Sequence, residues 1–164
     1  LPVTTTGGKF NRIPDLVRQL EYLATHHVEI GIFSGATRED GSDMLEIAYT
    51  HEFGGKSTVD TDEGPVQIWV PERSYLRAWF DQNTTALQDT AERLLGQVLD
   101  GKITGHAALD AIGGYAATHI QQFMVDLKHP PNAPITIARK GSSNPLIDTG
   151  QLMNSVTWQV VRTT

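Results

Sequence analysis

"TGHAALDAIGGYAATHIQQFMVDL", residues 104–127, is the longest periodic stretch of the chain and decides its class. Ala108, Leu109, Ile112, Tyr115, Ala116, Ile120, Phe123, Met124 and Leu127 recur at steps of three and four, which is one face of an α-helix. Thr104 stands where an N-cap belongs. Gly113-Gly114 interrupts the pattern. A glycine pair inside a helix costs roughly 1–2 kcal/mol against alanine, so something has to approach closely there. Upstream, Asp100-Gly101-Lys102 reads as a break with a C-cap glycine. Before it, Leu87, Ala91, Leu94, Leu95 and Val98 form the stripe of another helix within the helical region expected from about Glu72. Two long helices joined by a short turn predict a helical hairpin.

The remaining segments add short elements around that pair. Pro14 suits the first turn of a helix whose stripe is Leu16, Val17, Leu20, Leu23 and Ala24, ending at His26-His27. VEIGIFS, residues 28–34, reads as a strand with Val28, Ile30 and Ile32 on one face. Asp43 and Glu46 have capping-box spacing before Leu45, Ile47 and Ala48, a helix expected to stop near Gly54-Gly55. GGKSTVDTDEGP, residues 54–65, reads as a mobile loop. Val66, Ile68 and Val70 alternate as a strand that Pro71 ends, and TWQVV, residues 157–161, reads as another. The expected class is α+β: a small mixed or antiparallel sheet packed against several helices. Residues 1–10 are expected to be a flexible arm, and 11–164 a single domain.

Composition narrows the functions. A net charge of −6 disfavours a face that holds phosphate, so a tight nucleic-acid binder is not expected. With no cysteine, thiol catalysis, iron–sulfur clusters and disulfides drop out. No apolar run reaches the ~20 residues of a membrane span. The start lacks the charged and apolar regions of a signal peptide, so the expectation is a soluble intracellular protein.

Three motifs invite a chemical reading. Asp148-Thr149-Gly150 is how an aspartic protease presents its carboxylate, but such an enzyme needs a second carboxylate and downstream strands. Only 14 residues follow Gly150. The plainer reading makes Asp148 an N-cap and Gln151 its capping-box partner, with Ile147 and Leu152 as the hydrophobic staple and Leu152, Met153 and Val156 buried. His51-Glu52 begins a zinc-protease motif whose second histidine position is Gly55, so it reads as the polar end of a helix. His119, beside the long stripe, reads as a partly buried helix residue. No metal, cofactor or catalytic residue is expected. Trp69, Tyr75, Trp79 and Phe80 cluster around one strand and the helix after it. Core packing accounts for those that are buried; a subunit interface would account for any left exposed.

Taken together, "IAYTHEFGG" (47–55), "IWVPERSYLRAWFD" (68–81), "LDAIGGYAATHIQQFM" (109–124) and "HPPNAPITIARKGSSNPLIDTGQLMNSVTW" (129–158) resemble a tailed-bacteriophage family. It is called tail-completion, neck or virion-morphogenesis protein, or minor tail protein Z-like. The resemblance spans about residues 28–161. Ser74-Tyr75 departs from the family's usual Pro-Phe, and the acidic stretch 56–64 is longer than usual. The resemblance implies a structural, non-enzymatic virion protein, with no cofactor, that forms a ring at the head–tail junction, expected as a hexamer. Its partners would be copies of itself, connector or adaptor proteins and tail terminator or tail-tube proteins. DNA would pass through the lumen unbound, with no membrane involved. Tail terminator and head-completion protein are the near alternatives, and aspartic peptidase the remote one. Residues placed as assembly contacts are Lys56, Asp60, Asp62, Glu63, Arg73, Tyr75, Arg139 and Lys140, with the Arg139-Lys140 pair meeting an acidic neighbour.

Overall fold

A computed structural model describes residues 12–37, 41, 43–61, 64–132, 136–137 and 144–163, with the side chains at 59–61 outside that description. In chain order the elements are α1 (Ile13–Thr25), β1 (His26–Gly31), α2 (Met44–Phe53), β2 (Gly55–Thr61), β3 (Gly64–Val70), α3 (Leu76–Leu99), α4 (Gly105–Asp126), α5 (Gln151–Asn154) and β4 (Thr157–Arg162). The class is α+β, with α3 and α4 packed together as the expected helical hairpin.

Helix α4 is the centre. The side chain of Thr104 accepts a hydrogen bond from the Ala107 N–H at 3.1 Å, the expected cap. Ala116, Ala117, Ile120 and Met124 enter the main core with Met44, Ala48, Tyr75, Trp79, Leu146, Leu152 and Val156. Ala108 joins Leu94 and Val98 of α3 in a smaller cluster near the other end. Strands β1 and β4 lie across α4 as an antiparallel pair, Ile30 opposite Trp158 and Val28 opposite Val160. This pairing explains the glycine pair. The Trp158 indole lies on Gly113 and Gly114, and its Nε1–H donates to Asp110 Oδ1 at 2.9 Å. A methyl at Gly113 would fall inside the ring's van der Waals envelope, whereas one at Gly114 would meet it at an ordinary 3.4 Å.

Several expectations change. There are two two-stranded antiparallel sheets among the described residues, β1–β4 and β2–β3, not one. The segment read as a loop, 54–65, contains β2, which pairs along its whole length with β3 from Gly55↔Val70 to Thr61↔Gly64. Its polar sequence carries no alternation because the pairing strand, not a buried face, holds it. Asp148 and Gln151 do not take the N-cap and third helical positions that the capping box expected. Helix α5 starts at Gln151, and its N-cap is Gly150 at φ 80°, which has no side chain to cap with. Asp148 and Gln151 therefore stand in a turn and at the first helical position. Asp-Thr-Gly is used for the left-handed backbone that glycine permits. Leu152 and Val156 are buried as expected. His119 is exposed, its Nδ1 2.7 Å from the Tyr115 carbonyl oxygen. Helix α1 fully buries none of its stripe: Leu16 and Leu23 are half-buried, and Val17, Leu20 and Ala24 are exposed along with Ile13.

Candidate assembly interface

The β2–β3 hairpin leaves the body of the protein at one end of α3, and its root is tied by a hub built on Glu52. That carboxylate sits at the last turn of α2 and is 3% exposed. Its two oxygens accept from the Ser74 hydroxyl (2.7 Å) and from the backbone N–H groups of Tyr75 (2.7 Å), Leu76 (3.0 Å) and Arg77 (3.1 Å). These are the orphan donors of the α3 N-terminus, so α3 is capped by a carboxylate from another helix. Burial raises the Glu52 pKa, but the hydrogen bonds from Leu76, Ser74, Arg77 and Tyr75 outweigh it and hold the carboxyl below its ordinary value. The His51-Glu52 pair does stand at the end of a helix, but Glu52 is buried there as the cap of α3, with His51 half-buried beside it.

Arg77 completes the root. Its Nε donates to Glu52 Oε1 at 3.0 Å, and its Nη2 to the Glu52 carbonyl at 2.7 Å and to Glu72 Oε1 at 2.9 Å. Its guanidinium lies 4.4 Å from the centre of the Phe53 ring. The two chain segments that enter and leave the hairpin are therefore held by one side chain. At the crossing point, Gly54 has φ 74°, and a Cβ there would lie 2.9 Å from the Glu72 amide nitrogen, so glycine is required.

Arg73 and Tyr75 do not face a neighbour as the sequence reading placed them. Arg73 is 4% exposed; its Nε and Nη2 donate to the carbonyls of Pro130 (2.8 Å) and Pro131 (2.9 Å), and its own amide donates to the His51 carbonyl at 2.7 Å. It staples the Pro-Pro turn to the end of α2. Burial lowers its pKa. Tyr75 is fully buried, its hydroxyl without a hydrogen-bond partner among the described residues, and burial together with the Glu52 charge raises the phenol above its usual range. A short polar run between proline and helix gave both an exposed look; the carbonyls and carboxylate that pull them inward come from distant segments.

Beyond its root the hairpin is open. Neither apolar core cluster includes any of its described side chains. Val66, Ile68 and Val70 alternate along β3, and Val66 is 45% exposed. On the opposite face Trp69, paired with Lys56, is 70% exposed. Beside the root, Tyr49 and Phe53 of α2 pack on each other at 4.7 Å and are both exposed, as is Phe80 one turn after Arg77. The four aromatics picked out in the sequence split evenly: Tyr75 and Trp79 are core, Trp69 and Phe80 are surface. Tyr49 and Phe53 escaped the sequence reading because a helix this short shows no clear outward face.

Of the other expected contact residues, Lys56 is exposed on β2 and Asp60 stands near the end of the same strand. Asp62, Glu63, Arg139 and Lys140 lie outside the described residues. Among the described residues no cluster of three or more histidines and carboxylates could hold a metal ion, and no helix is long and apolar enough to cross a membrane. Comparisons with known protein families, with curated proteins and with solved structures found no match.

Proposed function

We propose that this chain is a structural subunit of a bacteriophage neck, a tail-completion protein that joins head to tail as a closed ring around the DNA path. Tail terminator and head-completion protein are the neighbouring forms of the same reading. The carrying observation is the hub. Glu52, Arg73 and Pro130-Pro131 come from three separate motifs of the resemblance, and they meet at one point. That point ties down the root of a hairpin whose described side chains stay outside the core clusters. A two-stranded hairpin is marginal alone in water, so a rigidly rooted one with an exposed tryptophan suits contact with another chain.

The acidic balance is compatible with a channel through which DNA slides without adhering. Neither catalysis nor a cofactor enters this reading. A map of an intact virion neck containing this chain tests it. The expected result is a closed ring of copies at the head–tail junction. Density for the chain elsewhere in the particle, or in an open arrangement, would contradict it. Reversing the charges of Arg139 and Lys140 is expected to leave the subunit folded while free heads and free tails accumulate; particles that join normally would take that pair out of the contact.

A further inference from the structure

The β2–β3 hairpin joins the body through a short interval. On the body side, the Arg73 N–H donates to the His51 carbonyl at 2.7 Å. On the hairpin side, the first pair of the ladder is Gly55↔Val70. Between these two links lie residues 52–54 on the way in and 71–72 on the way out. Three residues against two break the register, as in a bulge. Glu52 is held by its own hydrogen bonds, so the flexure is Phe53 and Gly54 against Pro71 and Glu72. Core packing does not stiffen it from beyond, since the described hairpin side chains stay outside both core clusters.

Arg77 of α3 reaches across both segments. Its Nη2 donates to the Glu52 carbonyl at 2.7 Å, at the peptide bond that enters the flexure, and to Glu72 Oε1 at 2.9 Å on the segment that leaves it. Its guanidinium lies 4.4 Å from the centre of the Phe53 ring. The two carboxylates it serves differ in kind. The Glu52 side chain is 4% exposed, whereas Glu72 is 55% exposed and Arg77 itself 50%. The Glu52 contact is sheltered from dissolved ions; the Glu72 contact is screened by them.

We infer that Arg77 is a positioning residue that locks the angle of the hairpin, a clasp with a buried half on Glu52 and an exposed, salt-sensitive half on Glu72. The hairpin is an arm: seven-residue strands reach about 23 Å, so a swing of about 10° at the flexure moves the far end by about 4 Å. Where the arm is the contact between copies, its angle sets the rotation from one subunit to the next, and closure of a ring depends on that rotation. This last consequence rests on the ring reading; the clasp acts inside one subunit and does not.

The chain has no cysteine, so a single one can carry a fluorescent label in the dilute full-length subunit. Thr58→Cys reports on the arm and Gln88→Cys, exposed on α3, on the body. Time-resolved anisotropy is read for each, beside a thermal melt. At low salt both labels are expected to tumble with the whole subunit. Glu72→Gln is expected to keep the melting temperature and to raise the freely moving fraction at position 58 about two- to fivefold, the range of one exposed ion pair, with position 88 unchanged. Salt at about 1 M, where the screening length is about 3 Å, is expected to do the same to the wild type and nothing further to Glu72→Gln. Arg77→Lys keeps the charge without the planar fork and is expected to free the arm rather than rescue it. A position-58 label as rigid in Glu72→Gln as in the wild type overturns the clasp. So does a wild-type arm already free at low salt, or motion that rises equally at position 88. None of these results bears on the neck assignment, which is judged by the position of the chain in the particle.

Discussion

The root and the blade of the β2–β3 hairpin are separated by a few residues and built on opposite principles. At the root one buried carboxylate serves three backbone donors, a hydroxyl and a guanidinium. Along the blade, Trp69 and Val66 lie open and none of the described side chains joins the core. A subunit that needed the hairpin only for its own stability would bury it. Fixing its direction so firmly while leaving its surface free fits an element whose packing partner is another molecule.

The sharpest way to break the contrast is at the root. Glu52→Ala removes a cap and strands several buried donors. A loss of roughly 2–4 kcal/mol is expected, since a lost cap costs about 0.5–2 and a stranded buried donor about 1–3. Urea melts measure it. Glu52→Gln is expected to fall between Ala and the wild type. The folded pKa of Glu52 lies below its unfolded value, so its contribution is complete above the ordinary glutamate range and is lost as pH falls through the depressed value. Stability should therefore fall in acid by more in the wild type than in Glu52→Gln; parallel acid profiles would show that the carboxylate is not the hub.

A smaller effect is expected in the α4–β4 packing. Gly113→Ala drives a methyl into Trp158 and should cost about 1–3 kcal/mol, as overpacking does. Gly114→Ala, with its methyl at ordinary contact distance, is expected to be neutral or to gain up to ~1 kcal/mol of helix propensity. Equal melting shifts for the two would place the indole elsewhere.

Next comes Tyr75. Its hydroxyl is buried without a hydrogen-bond partner among the described residues, so Tyr75→Phe should be neutral or stabilising by up to ~1 kcal/mol. A loss larger than that would reveal a hydrogen bond to the hydroxyl. Smallest for the isolated subunit is Trp69→Ala, expected within about 0.5 kcal/mol of wild type because the ring is surface. A marked fall in its melting temperature would mean that the blade is stabilised within its own chain.

The parts legible in the sequence are those held by local patterns. The long stripe of α4, the Thr104 cap and the Asp43 cap, whose carboxylate accepts from the Leu45 N–H at 2.9 Å, all depend on residues three or four positions apart. What stayed illegible depends on distant partners. The cap of α3 comes from Glu52, which is 22 to 25 residues upstream of the groups it binds. Strand β2 has no hydrophobic alternation of its own to announce it, since β3 supplies its pairing. At Asp148 the capping-box spacing was present, but Gly150 turned the backbone left-handed and the helix began later. Along α1 the periodicity is real, yet part of the stripe meets no core, and periodicity alone does not say which residues a neighbour covers.

The most direct test of the central claim is amide exchange along the chain, compared between dilute subunit and assembled protein. The account predicts fast exchange in β2 and β3 of the dilute subunit, with slow exchange in α4 and at the capped start of α3. On assembly the hairpin amides should slow at least tenfold while α4 stays unchanged. Hairpin amides already as slow as those of α4 in the dilute subunit, or unchanged on assembly, would contradict the hairpin as the contact between subunits.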